Sequence, residues 1–173
     1  PLTEMISNAG GMVVATTFAS NVARVRTLAV AGVAAGRSVC LLGRSMERMV
    51  EASRATDVLP DFPATIDVEE ALDIPRGDLM LLVTGSQGER RAASAQLARG
   101  KYRGLTVADG DTFLFSSKII PGNERGVISI INAYSEMGVS VVDGEDGHYH
   151  VSGHSNRPDL LAVHDLMKPK MVI

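Results

Sequence analysis

From Met12 to Phe18 the chain is an apolar and β-branched run, bounded by Gly10-Gly11 before it and Ala19-Ser20-Asn21 after it. A run that short predicts a strand buried in a parallel sheet. Beyond Asn21 the period changes: Val22, Val25, Leu28, Ala29 and Gly32 recur at helical spacing. Ser20 or Asn21 is placed to cap the first turn of that helix, and Gly36 to end it. The same alternation repeats. Ser38 to Leu42 predicts a second strand, followed by Gly43-Arg44-Ser45-Met46 and a helix with Met46, Met49 and Val50 on its apolar side. Leu79 to Val83 predicts a third strand, leading through Thr84-Gly85-Ser86-Gln87-Gly88-Glu89 into an Ala-rich helix that runs to about Ala98. Thr112 to Phe115 predicts a fourth, with Pro121-Gly122-Asn123-Glu124 introducing its helix, and Val139 to Val142 a fifth. Strands of this length alternating with helices predict right-handed βαβ units and a mainly parallel sheet, hence a three-layer, Rossmann-like α/β domain.

Three stretches depart from that rhythm. Asp57 to Gly77 carries prolines at 60, 63 and 75 and reads as a surface excursion around one short helix. His148-Tyr149-His150-Val151 reads as a short strand after the Asp143-Gly144-Glu145-Asp146-Gly147 turn, and Arg157 to Met167 as a final helix. The chain starts at Pro1 and stops on Lys170-Met171-Val172-Ile173, whose last three residues read as the opening of a buried strand. We therefore expect one domain over residues 1–173, cut from a longer protein.

Composition narrows the function classes. With 173 residues and 45% hydrophobic positions the chain can bury a sizeable core. A formal charge of -3 argues against coating a polyanion or an anionic membrane by bulk charge, so any polyanion site must be local. A single Cys40 rules out a disulfide framework and fits a reducing, cytoplasmic setting. Apolar stretches are broken well short of about 18 residues, so neither a membrane span nor a signal peptide is expected.

In an open parallel sheet, ligands bind beyond the carboxyl ends of the strands, where helix N-termini present free N–H groups. Small polar residues crowd that edge here: Thr16 to Asn21, Gly43-Arg44-Ser45, Thr84 to Gly88 and Ser116-Ser117-Lys118 all follow strands. Each loop can offer donors to phosphate oxygens, and each is also an ordinary cap or turn. None matches a dinucleotide or P-loop fingerprint. His148, His150 and His154 fall within seven residues. An isolated zinc site there is disfavoured, because no cysteine is near and Glu145 and Asp146 read as a turn. His154 is better placed as an acid/base or phosphate-facing group, with a backbone-bonded loop histidine as the alternative. His164, inside the final helix, reads as structural. Glu89 reads on position alone as a carboxylate stabilised in the first turn of a helix. Arg90, Arg91, Arg99, Lys101 and Arg103 form the most basic window, either a solvated face or an RNA-backbone contact.

Five segments in this order carry a more specific likeness. They are Thr17-Phe18-Ala19-Ser20-Asn21, Gly43-Arg44-Ser45-Met46, Thr84 to Glu89, Phe115 to Glu124 and His150-Val151-Ser152-Gly153-His154, followed by Lys168-Pro169-Lys170. Together they resemble the β-CASP domain of the ribonuclease J family, within the metallo-β-lactamase superfamily of nucleases. The resemblance implies a β-CASP unit inserted into a metallo-β-lactamase domain, with single-stranded RNA lying in the cleft between them. It implies that Glu89 matches the acidic position of the first β-CASP motif. It further implies that His154 faces the scissile phosphate and assists a two-metal hydrolysis. Ser20 and the Ser152-Gly153 pair fall where such enzymes hold the 5′-monophosphate end of RNA, and Asn21 and His150 are candidate RNA or 5′-phosphate contacts in the same two segments. Arg44, Ser45, Ser86 and Lys118 fall where further backbone contacts are expected.

The resemblance also says what to expect elsewhere. The His-x-His-x-Asp-His signature of the metallo-β-lactamase half does not occur in the chain, and the third β-CASP histidine is expected beyond Ile173. The parent enzyme is thus expected to carry two divalent metal ions, zinc by preference, outside this module, to act as a 5′-to-3′ exo- and endoribonuclease, and to be homo-oligomeric. The module alone is expected to fold without cleaving RNA. Two other readings remain: a standalone α/β module that binds a nucleotide or phospho-ligand without catalysis, and a domain that docks subunits of a degradation complex.

Overall fold

The computed structural model describes residues 1–143, 149 and 155–171. Five strands, β1 (Val13–Thr16), β2 (Ser38–Leu42), β3 (Leu79–Val83), β4 (Thr112–Phe115) and β5 (Ser140–Val142), form one all-parallel sheet in the order β2-β3-β1-β4-β5. β1, β3 and β4 are buried along their whole length, which is why they read as unbroken apolar runs.

Successive side chains on each strand feed opposite faces. Val13, Ala15, Val39, Met80, Leu82 and Leu114 pack beneath helices α1 (Leu2–Asn8), α2 (Val22–Ala34) and α3 (Arg44–Ala55). Val14, Cys40, Leu81, Val83, Phe113 and Phe115 pack beneath α4 (Val68–Ala71), α5 (Ala93–Leu97) and α6 (Glu124–Glu136). The β1-to-β2 connection moves one way along the sheet through α2, while those into β3, β4 and β5 move the other way through α4, α5 and α6. A single crossover hand demands this split between faces.

The structure corrects several sequence expectations. α1 was not legible: with seven residues and Ile6 as its one buried side chain, it has no period to detect. β1 ends at Thr16 rather than Phe18, because the Phe18 carbonyl turns the chain by accepting from the Asn21 amide at 3.0 Å. Asn21, not Ser20, caps α2, its side chain accepting from the Arg24 amide at 3.1 Å. α5 starts only at Ala93, where Thr84 receives the Ala93 and Ser94 amides at 3.3 and 3.0 Å. Residues 57–77 are more than a surface excursion. Leu59 and Phe62 are buried with the α3 face, Ile66 bridges to Cys40 beside the edge strand β2, and an Asp67/Glu70 capping box starts α4 on the opposite face. Such cover protects an otherwise open sheet edge. The helix expected over Arg157 to Met167 forms as α7, opened by an Asn156/Asp159 capping box, but it buries no residue. His164 on it is exposed rather than packed in a core. The strand expected at 148–151 involves residues outside the described set. Among the described residues no helix is long and apolar enough to cross a membrane.

Cys40 is fully buried, and that burial pushes its thiol up to about 12. At pH 8 we expect it to resist a thiol reagent until the domain opens. A labelling rate that follows the unfolding equilibrium is the expected result, and immediate labelling in native buffer would contradict the packing.

Candidate nucleic-acid interface

Because all strands are parallel, their carboxyl ends share one edge. On that edge β1 sits between β3 and β4, and its helix α2 leaves to the face opposite α5 and α6. The loop after β1 therefore leaves toward the opposite face from both neighbouring loops, the kind of switch point beside which open α/β sheets place their ligand-binding crevice.

Specific bonds hold the crevice together. The Thr16 hydroxyl donates to the Val83 carbonyl at 3.1 Å, and the Ser116 amide to the Thr16 carbonyl at 2.9 Å, tying the ends of β1, β3 and β4. Arg24, one turn into α2, reaches across with Nε 2.9 Å and Nη2 2.6 Å from the Ser116 hydroxyl. The Tyr149 carbonyl accepts from that hydroxyl at 2.8 Å and from Arg24 Nη2 as well. Partial burial pulls the Arg24 guanidinium below its ordinary pKa.

On the other side, Gln87 bridges two loops. Its Nε2 donates to the Ser86 and Lys118 carbonyls at 2.8 and 3.0 Å, while its Oε1 accepts from the Ile120 amide at 2.8 Å and Asn123 Nδ2 at 3.1 Å. Backbone-to-backbone approach tightens the same region: a Cβ on Gly88 would lie 2.4 Å from the carbonyl carbon of Gly126 in α6. Glu89 does not sit in the first turn of α5; its carboxylate accepts from the Gln87 amide at 2.9 Å.

Around this frame the sequence-derived candidates divide by exposure. Ser20, Asn21, Arg44, Ser45, Glu89 and Lys118 are exposed, whereas Ser86 is 2% exposed beneath its own loop. Arg44 and Ser45 open α3 and, with Arg48, Arg91 and Glu89, line a polar cavity of about 570 Å³. His150, Ser152, Gly153 and His154, together with His148, lie outside the described residues. Gln87 and Ser116 lie in loops expected to face phosphate but act instead as braces, and Arg24 falls outside every expected site. The local signal at Arg24 is its position three residues after the cap Asn21. Ser117, 4% exposed at the end of β4, holds a hydroxyl with no partner among the described residues. Among the described residues no three His, Cys, Asp or Glu side chains gather as a metal ion requires. These residues therefore do not fit a metal pair.

Residues 10–134 match the family description "Ribonuclease J, beta-CASP domain". The chain belongs to the ribonuclease J β-CASP family. Relatives named ribonuclease J agree with that assignment along almost the whole chain. The protein of Sinorhizobium meliloti is 40% identical over 172 residues, covering 99% of this chain and 30% of its own length. Those of Mycolicibacterium smegmatis and Corynebacterium glutamicum are each 38% identical, covering 99% and 98% of this chain but 31% and 24% of their own lengths. The chain thus spans less than a third of these ribonuclease J relatives. The five-stranded parallel sheet is the fold expected from the β-CASP resemblance, and the polar loops all lie along its carboxyl edge.

Proposed function

We propose that the chain is the RNA-holding domain of a cytoplasmic ribonuclease J-type enzyme that degrades and matures RNA by hydrolysis, beginning from a 5′-monophosphate end. The observation that carries this reading is the carboxyl edge of the sheet, whose loops after β1, β2, β3 and β4 are cross-braced by Gln87 and by Arg24 with Ser116 and present exposed cations and hydroxyls. Ser20 and Asn21 offer donors to the terminal phosphate, with Ser152 and Gly153 assigned to the same pocket by family resemblance and His150 a candidate contact in the same segment. Arg44, Ser45 and Lys118 stand to contact the following backbone, and Ser86 supports them from beneath. Glu89 and His154 are assigned to the scissile phosphate. The pair of divalent ions, and with it the bond-breaking step, is assigned to parts of a longer protein that this chain does not span. The domain by itself is accordingly expected to bind RNA without cleaving it.

The test is titration of the full-length protein with single-stranded RNAs that carry either a 5′-monophosphate or a 5′-hydroxyl. We expect the monophosphate to bind about tenfold more tightly, one charge-assisted contact being worth roughly 1.5 kcal/mol, and Ser20→Ala to lose much of that preference. Equal affinity of the unmodified protein for both RNAs would refute the end-recognition reading.

A further inference from the structure

Many of the chain's arginines are engaged within the fold. Arg26 pairs with Asp61, Arg76 with Asp111, Arg103 lies 3.7 Å from both Glu47 and Glu69, and Arg37 is buried among backbone carbonyls. Arg90, Arg99 and Arg125 are different. All three are exposed, and none of their side chains forms a hydrogen bond or ion pair among the described residues. Although 26 or more positions separate Arg125 from the other two, the fold brings all three to one groove of about 480 Å³ between α5 and α6.

Two features of the groove indicate its occupant. Its remaining described lining consists of small residues such as Gly88, Ala95 and Gly126, the buried Ile130 and the hydroxyl of Ser129, with no carboxylate. A protein partner would look for large apolar or aromatic anchors, which the groove does not offer; a phosphate backbone needs only cations spaced along a track. The groove also begins at the crevice, because Gly88 belongs to the loop after β3 and its backbone touches that of Gly126. From Arg125 through Ser129 to Ala133 it descends one side of α6, about 12 Å at roughly 1.5 Å per residue.

We infer that this groove binds the sugar-phosphate backbone of RNA, as a lateral track continuing from the strand-end crevice over α5 and α6. The inference rests on the RNA-holding reading above and extends the footprint beyond the loops that reading uses. On a chain of net charge -3, three unneutralised arginines in one groove, with no carboxylate in its lining, make a local polyanion site that bulk charge does not provide.

The test compares the full-length protein with a variant carrying R90Q, R99Q and R125Q, and with one carrying lysine at the same three positions. The probes are 5′-phosphorylated single-stranded RNAs of about 4 and about 16 nucleotides, the range of single-strand site sizes. We expect the glutamine variant to bind the long RNA at least about tenfold more weakly, with its log–log salt slope reduced by roughly 2, the release expected for three phosphates. Binding of the short RNA should stay within about twofold, and the lysine variant should retain most of the long-RNA affinity. Unchanged long-RNA affinity and slope, or equal weakening of both RNAs, would overturn the track while leaving the crevice reading intact. If the unmodified protein binds neither RNA, the crevice reading fails and the track fails with it, a result visible without any variant.

Discussion

Asp111→Ala is expected to destabilise the domain by about 2–4 kcal/mol, roughly 1–3 for the buried Met12 amide left without an acceptor and about 1 for the more exposed bonds lost with it. Asp111 is 1% exposed at the amino edge of the sheet, just before β4. Its Oδ1 accepts from the Met12 amide at 2.8 Å and its Oδ2 from the Ala108 amide at 2.9 Å; Arg76 donates to both, with Nε 3.2 Å from Oδ1. Alanine would leave the buried Met12 amide, the Ala108 amide and a guanidinium without their acceptor, and it would loosen the start of β1 from the start of β4, which the Thr112 amide still joins by donating to the Met12 carbonyl at 2.9 Å. Against a typical total of about 5–15 kcal/mol, that loss leaves a marginal fold. Because the residue lies at the end of the sheet opposite the crevice, the damage should appear as a fall in the denaturant midpoint, with RNA affinity of the folded fraction preserved. Arg76→Ala should cost less, since Arg76 is partly exposed and both amide bonds survive its removal. A loss below about 1 kcal/mol for Asp111→Ala would show that the carboxylate does not join these strands.

Gln87→Ala is the largest effect expected at the crevice itself. Four bonds through one side chain hold the loop after β3 against the loop after β4. Alanine would orphan the Lys118 carbonyl and the Ile120 amide, at about 1–3 kcal/mol for each group that water does not reach. The functional loss should exceed what stability alone dictates: the loops carrying Ser86, Glu89 and Lys118 would no longer be held in register, and small misplacements of contact groups are costly. We expect RNA affinity to fall by about tenfold or more at a temperature where circular dichroism shows the variant fully folded. Gln87→Glu should also be impaired, because a carboxylate keeps the bonds from Ile120 and Asn123 but faces the Ser86 and Lys118 carbonyls with no proton to donate. Unaltered affinity in a folded alanine variant would remove the β3–β4 brace from the site.

The legible and illegible parts of this chain divide by the range of the forces involved. Central strands were readable because a parallel strand covered on both faces leaves an unbroken apolar run such as Leu79 to Val83. α2 was readable because Val25, Leu28 and Ala29 keep helical spacing against one face. The strand order was not, since placing β1 between β3 and β4 depends on pairs such as Val13 with Met80 and with Thr112, which no local pattern records. The start of α5 was misplaced for the same reason: an Ala-rich stretch favours a helix from Glu89 onward, but capping by the distant Thr84 sets it at Ala93. At the site, the exposed donors Ser20, Asn21, Arg44, Ser45 and Lys118 could be named from their place after strands. Arg24, Gln87 and Ser116 act through partners 31 or more residues away, so their roles emerge only in the fold. Arg37 likewise reads as an ordinary charge, yet it is buried and donates to the carbonyls of Ile6, Gly11 and Leu79.

Whether RNA lies across the carboxyl edge of the sheet can be read from amide hydrogen exchange of the full-length protein with and without 5′-phosphorylated single-stranded RNA. RNA bound there should add protection in residues 17–21, 43–46, 84–89 and 116–123. Exchange at the amino edge, around residues 108–112, should be unchanged. Protection confined to the amino edge or to α7, with the four loops exchanging as in the free protein, would contradict that placement.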